Sequence, residues 1–131
     1  MLILETDVRK VTDDVMNMLH EDERELINAF YDAVVAKDID KIDTLFKVVL
    51  VEVEAHFKSE EDMMEQGGYA GLAVHKSDHD AMRAKLEKFH KRWEVLKGPK
   101  EVRSFLEKDF KKWMISHVAT RDKDASQHLG S

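Results

Sequence analysis

The 131-residue sequence contains no cysteine, only one proline and only five glycines. The absence of cysteine excludes disulfides, thiolate zinc sites and cysteine-ligated iron–sulfur clusters, so imidazole and carboxylate groups remain as the side-chain metal ligands. The small number of helix-breaking residues, together with frequent Ala, Leu, Lys, Glu and Met, favours an all-α fold.

The sequence also lacks a basic stripe and a long apolar run. It has 27 acidic and 21 basic residues, a net charge of −6 that is spread along the chain, so we expect no nucleic-acid partner. The first residues, Met1 to Val11, include at most four consecutive apolar residues, too few for a signal sequence or a membrane span. We therefore expect a cytoplasmic protein without a membrane partner, folded as one domain over residues 1–131.

Four segments carry apolar residues at helical spacing, and short breaks separate them. The predicted helices cover approximately residues 12–36, 40–66, 72–97 and 100–123. Short connections make consecutive helices antiparallel, so the predicted fold is an up-down-up-down four-helix bundle. Residues 124–131 lose the periodicity and are predicted to be disordered.

Two pairs of metal-ligand residue types lie on the apolar stripes of the second and third helices. His56 and Glu60 are four residues apart, as are His75 and His79. Residues with this spacing lie about 6 Å apart along a helix and on nearly the same face, so both side chains can reach one point. A charged or unpaired polar group on such a face is costly unless something neutralises it, and a metal ion would do so.

The remaining two helices contribute His20, His117 and Asp122. A single histidine on an apolar helix face is more often a hydrogen-bonded core residue, but five such histidines at mid-bundle level indicate a metal site. Seven ligands exceed the needs of one ion, so we expect two metal ions, and the ligand set suits iron, copper or zinc. His90 lies about 16 Å along its helix from His79, and His128 lies in the tail, so neither is expected to be a ligand.

With these seven residues the sequence resembles the hemerythrin family, whose motif has one histidine on the first helix, H-x-x-x-E on the second, H-x-x-x-H on the third and H-x-x-x-x-D on the fourth. All seven positions are present. The surrounding residues are similar too, including His56-Phe57-x-x-Glu60-Glu61, His75-Lys76-x-x-His79 and Trp113-x-x-x-His117. The resemblance covers roughly residues 20–122.

The resemblance implies a non-heme centre of two iron ions. One iron would take His75, His79 and His117, and the other would take His20 and His56. Glu60 and Asp122 would bridge the two irons together with an oxo or hydroxo group. The iron with two histidines would keep an open position, and the implied function is reversible binding of dioxygen for storage, delivery or scavenging.

Reversible binding requires a dry apolar pocket, for which Met114 and Trp113 are the candidate walls. Trp113 could equally be a packing residue. Two positions depart from the oxygen carriers of this family, in which the residues three and four after the first histidine are usually apolar, whereas this sequence has Glu23 and Arg24. Glu23 could accept a hydrogen bond from a ligand imidazole, coordinate the second iron, or turn outward to a basic residue.

These alternatives leave more than one function open. The preferred hypothesis is an oxygen-binding protein rather than an enzyme. The alternatives are a di-iron peroxidase, an oxygen or nitric oxide reductase, or a sensor, with Glu23 modifying the open iron position. We expect a monomer, with a dimer formed through helix faces as the alternative.

Overall fold

The computed structural model describes residues 1–129 and has the predicted four-helix bundle, without strands in these residues. Helix α1 is Asp14–Val35, α2 is Ile39–Gln66 and α3 is Leu72–Leu96. The fourth helix, α4, continues without interruption through five segments: Pro99–Phe105, Leu106–Phe110, Lys111–His117, Val118–Asp122 and Lys123–Leu129. Each helix packs on its neighbours in sequence, and α4 closes the bundle against α1.

The helix ends follow from local sequence. The side chain of Asp13 accepts a hydrogen bond from the Met16 amide at 2.9 Å, and Asp38 accepts one from the Lys41 amide at 3.2 Å. These carboxylates cap the otherwise unpaired amides of α1 and α2. Gly68 has φ +66°, a conformation that favours glycine, so it allows the chain to reverse after α2.

One end of the bundle is filled by apolar side chains, including Phe30, Phe46, Trp93 and Phe105, which are each at most 2% exposed. Burying a large side chain of this kind stabilises the fold by roughly 1.5–3 kcal/mol. The apolar filling leaves the polar interior residues together at the other end. None of the helices in residues 1–129 has both the length and the apolar content needed to cross a bilayer.

The N-terminal arm is fixed to α1 by a side chain that the sequence pattern left unexplained. Asn28 accepts a hydrogen bond from the Ile3 amide at 2.8 Å and donates one to the Ile3 carbonyl at 2.9 Å. Arg24 donates to the same carbonyl at 3.2 Å and pairs with Glu21. Arg24 therefore binds the arm, and Ile3 itself is completely buried.

Helix α4 differs from the prediction in two respects. It contains two π-helical turns, Leu106–Phe110 and Val118–Asp122, where a continuous α-helix was expected. It also continues to Leu129, so the prediction of a disordered tail is wrong for residues 124–129, while Gly130 and Ser131 lie outside the described residues. The reason is packing: Ala125 is buried against Met16 and Met64, and the Ser126 hydroxyl accepts a hydrogen bond from the Asp13 amide.

Candidate metal centre

Seven polar side chains from all four helices meet inside the bundle. His20 comes from α1, His56 and Glu60 from α2, His75 and His79 from α3, and His117 and Asp122 from α4. None is more than 7% exposed, and Glu60, His79 and Asp122 are fully buried. Their potential ligand atoms form two groups: one contains Glu60, His75, His79, His117 and Asp122, and the other contains His20, His56 and Glu60.

The first group places three imidazoles around one oxygen of each carboxylate. Oε1 of Glu60 is 3.1 Å from Nε2 of His79 and 3.6 Å from Nε2 of His75. Oδ1 of Asp122 is 2.9 Å from Nε2 of His75 and 3.1 Å from Nε2 of His117. Donor atoms about 2.1 Å from one octahedral ion lie about 3 Å from one another, so most of these separations are those of ligands that share an ion.

The second group places two imidazoles around the opposite oxygens. Oε2 of Glu60 is 2.7 Å from Nε2 of His56 and 3.3 Å from Nε2 of His20. Oδ2 of Asp122 is 2.8 Å from Nε2 of His20. Each carboxylate therefore presents one oxygen to the three-histidine group and the other oxygen to the two-histidine group, which is the arrangement of a bridging ligand.

The π-turn at Val118–Asp122 brings His117 and Asp122 together. In an α-helix, five residues advance by about 500°, which would leave the Asp122 side chain about 140° around the helix from His117. A π-turn has more residues per turn, so residues five apart come onto the same face. The two side chains can then contact at 3.1 Å.

Several buried atoms of this centre have no hydrogen-bond partner in residues 1–129. Apart from Nδ1 of His20 and Nδ1 of His75, they are Oε1 of Glu60, Oδ1 of Asp122 and Nε2 of His75. Buried polar atoms are normally paired because an unpaired one costs about 1–3 kcal/mol. All three atoms point into the three-histidine group, so a metal ion there would satisfy them together, and the residues fit such an ion.

The electrostatic environment favours positive charge at the same place. Burial alone would lower the pKa of His20, but hydrogen bonds and attraction from Asp122 and Glu60 raise it to about 9. The same two carboxylates outweigh burial at His75 and also raise its pKa to about 9. Burial would raise the pKa of Glu60, but the surrounding histidines, His56 first, hold it well below its usual value.

The outward nitrogens of three histidines are paired with a second set of carboxylates. Nδ1 of His79 is 2.7 Å from Oε2 of Glu61, and Nδ1 of His56 is 3.0 Å from Oε1 of Glu23. Asp78 is paired in the same way with Nδ1 of His117. An acceptor at Nδ1 keeps the proton on that nitrogen, leaves Nε2 free for a metal and fixes the ring orientation.

Aromatic rings and one arginine hold the three-histidine group from outside. The rings of Phe57 and His79 are stacked at 4.1 Å, and those of Trp113 and His117 at 4.5 Å. Arg83 pairs with Glu61 at 2.8 Å and lies over the Phe57 ring. The orientation of His79 therefore depends on a buried ring and on a carboxylate that is itself held by a cation.

Glu23 lies where the first of its three predicted arrangements places it. Its carboxylate is hydrogen-bonded to His56, is 6% exposed, and is not part of either group of converging ligand atoms. Trp113 is placed against the three-histidine side of the centre by its stacking on His117. Met114 is 1% exposed and belongs to the apolar core.

The sequence interpretation gave no role to Glu61, Asp78 or Arg83. Asp78 precedes His79 in sequence but contacts His117 on α4, 39 residues away. Glu61 on α2 contacts His79 on the neighbouring helix α3. No spacing within one helix indicates such pairs, because they depend on how neighbouring helices face each other.

The two histidines that were not predicted as ligands lie elsewhere. His90 packs against Phe46 with ring centroids 4.9 Å apart, and its Nδ1 is 3.1 Å from Glu94. His128 hydrogen-bonds the Gly67 carbonyl at 2.8 Å. Neither belongs to the two groups of ligand atoms.

Comparisons with known proteins give one consistent result. The family described as Hemerythrin HHE cation binding domain matches residues 11–128. A bacteriohemerythrin of Aquifex aeolicus is 38% identical over 130 residues, which cover 99% of both chains. A myohemerythrin of Sipunculus nudus is 31% identical over 107 residues, covering 80% of this chain and 78% of that protein. A crystal structure of wild-type hemerythrin superposes with a TM-score of 0.80 at 21% identity, covering 100% of this chain and 98% of that one.

Proposed function

The chain belongs to the hemerythrin family, and on this basis we propose that its four helices hold a non-heme di-iron centre that binds dioxygen reversibly. The observation that carries the proposal is the division of the Glu60 and Asp122 oxygens between three histidines on one side and two on the other. We assign His75, His79 and His117 to one iron and His20 and His56 to the other, with both carboxylates bridging.

The unequal number of histidines supports a single binding position for dioxygen. With the two carboxylates and a solvent-derived bridge, three histidines complete six ligands, whereas two histidines give five. Two ferrous ions held in this way would supply both the open coordination position and the electrons that dioxygen binding needs. Glu23 lies behind His56, at Nδ1, so its carboxylate leaves that position free.

The surrounding residues support binding without loss of the ligand to water. Met16 precedes His20 by one helical turn and Met64 follows Glu60 by one turn, and both are fully buried against Ala125. This apolar layer covers the end of the bundle nearest the centre. Exclusion of water and protons slows the displacement of a bound oxygen ligand, so a closed apolar layer favours reversible binding.

Absorption spectroscopy of the iron-loaded protein tests the proposal. The reduced protein should develop a visible charge-transfer band on exposure to oxygen, and the band should disappear under argon and return with fresh oxygen. Metal analysis should give two irons per chain, and His90→Gln should leave both results unchanged because His90 lies outside the centre. Immediate conversion to the oxidised form, with continued consumption of a reductant, would instead favour a peroxidase or an oxygen or nitric oxide reductase.

A further inference from the structure

A surface groove between α1 and α2 reaches one of the proposed iron ligands. Its volume is about 440 Å³, within the range of sites that bind small molecules. The apolar part of its lining is formed by Leu19, Leu26, Val48 and Ala55. His56 also lines the groove, so a single imidazole ring separates a molecule in the groove from the two-histidine iron.

The charge of the groove is of one sign. Glu23, Asp22 and Glu52 line it, and no lysine or arginine does. The Glu23 carboxylate is more than nine-tenths buried and its Oε1 contacts His56, so it forms the inner end of the groove. Asp22 and Glu52 are exposed. Apolar walls combined with three carboxylates fit a small molecule that has an apolar body and a positive charge.

From this arrangement we propose that the groove binds a small aromatic cation that donates electrons to the di-iron centre through His56. The inference rests on the proposed centre and names a partner for it. An aromatic body fits the apolar walls and carries electrons that can be donated one at a time. The positive charge fits the carboxylates, and the ring of His56 connects the bound molecule with the metal.

The chemistry of the step is a return of the oxidised centre to its reduced form. Each donor molecule gives one electron and leaves the groove in its one-electron-oxidised form. Two molecules are consumed when two ferric ions become two ferrous ions, and no bond to the donor is made or broken. When slow oxidation converts the di-iron centre to its ferric form, donor molecules bound in this groove would reduce it again.

The test uses the iron-loaded, oxidised protein under argon with two dyes of similar structure. The radical cation of methyl viologen is the cationic donor, and a viologen with sulfonated propyl arms is the anionic control. We expect the rate of dye oxidation to saturate with the methyl viologen concentration and to rise linearly with that of the sulfonated dye. Calorimetry with oxidised methyl viologen, which cannot react, should show one binding site per chain.

Two variants locate the site. Ala55→Phe fills the groove and should abolish both saturation and the calorimetric signal, whereas Val95→Phe, at an exposed position on α3, should change neither. The double variant Asp22→Asn/Glu52→Gln keeps the shape and should weaken methyl viologen binding about tenfold at low salt. Glu87→Gln/Glu94→Gln removes the same charge from α3 and should leave the binding unchanged.

The results separate this inference from the proposed centre. Linear kinetics with both dyes, or methyl viologen binding that is equal in Ala55→Phe and Val95→Phe, would overturn the groove assignment even if the oxygen-dependent band is present. Equal weakening in the two charge variants would also overturn it, because net charge alone would then explain the preference. Absence of the oxygen-dependent band would refute the proposed function. The calorimetric test of the groove does not depend on that band, because oxidised methyl viologen binds without reacting.

Discussion

Removal of the metal should give the protein an unusual dependence of stability on pH. In the metal-free fold, His20 and His75 have pKa values of about 9, because Asp122 and Glu60 outweigh the effect of burial. In the unfolded chain both return to the ordinary value of 6.5. Between these values the folded state binds more protons than the unfolded state, so the free energy of unfolding must fall as the pH rises.

The size of the effect follows from the shifts. A raised pKa contributes stability that is fully present below pH 6.5 and is lost as the pH rises through about 9. Each histidine contributes roughly 3 kcal/mol over this interval. The two share their carboxylates, so their contributions are not additive, and we expect these two histidines together to account for a loss of about 3–6 kcal/mol between pH 6.5 and 9. A loss of this size is a large part of the stability of a small domain.

Urea unfolding followed by circular dichroism measures this loss. The protein is prepared in a chelator and studied at several pH values between 6.5 and 9, with His90→Gln as a control that should keep the same slope. The affinity for ferrous iron should change in the opposite direction and increase with pH, because iron binds neutral imidazole. Stability of the metal-free protein that stays constant or increases over this range would refute the reasoning.

The remaining predictions concern single side chains. His75→Ala and His117→Ala should each reduce the iron content below two per chain, and retention of two irons in both would contradict the ligand assignment. Glu23→Leu should keep the iron but change the autoxidation rate of the oxygenated form, because His56 loses its Nδ1 acceptor; an unchanged rate excludes this role. Arg83→Gln removes the cation that pairs with Glu61. The oxygen affinity of this variant, measured by gas titration, should therefore differ from that of the unchanged protein. Phe46→Ala should lower the unfolding free energy by about 3–5 kcal/mol, whereas a loss below 1 kcal/mol would contradict its core position.

Much of the fold could be predicted because each helix carries its own pattern. Apolar residues at helical spacing, glycines at the break after α2 and Pro99 at the start of α4 are local signals, and the helix bounds agree within two residues except at the C-terminal end of α4. The convergence of His56 with Glu60 could likewise be predicted, because four residues in an α-helix fix both the rise and the direction.

The unpredicted parts depend on contacts between helices. The pairing of Asp78 with His117 arises only when α3 and α4 are packed, and the position of Glu23 depends on which face of α1 meets α2. The helical tail after Asp122 was missed for a related reason. Its buried residues, Ala125 and Ser126, are small or polar, and the π-turn shifts their face relative to the apolar stripe of the preceding segment.

The turn at Val118–Asp122 also bears on how this chain can vary in length. A π-turn is equivalent to one residue inserted into an α-helix, with the residues beyond it keeping their places. Deletion of Thr120, which is exposed, would restore regular α-helix and put the aspartate four residues after His117, the spacing that His56 and Glu60 already use. Elsewhere between two ligands of one helix, a lost residue would rotate one ligand by about 100°. Relatives one residue shorter here could therefore keep the same centre. In an alignment without gaps, their aspartate would lie one column before Asp122.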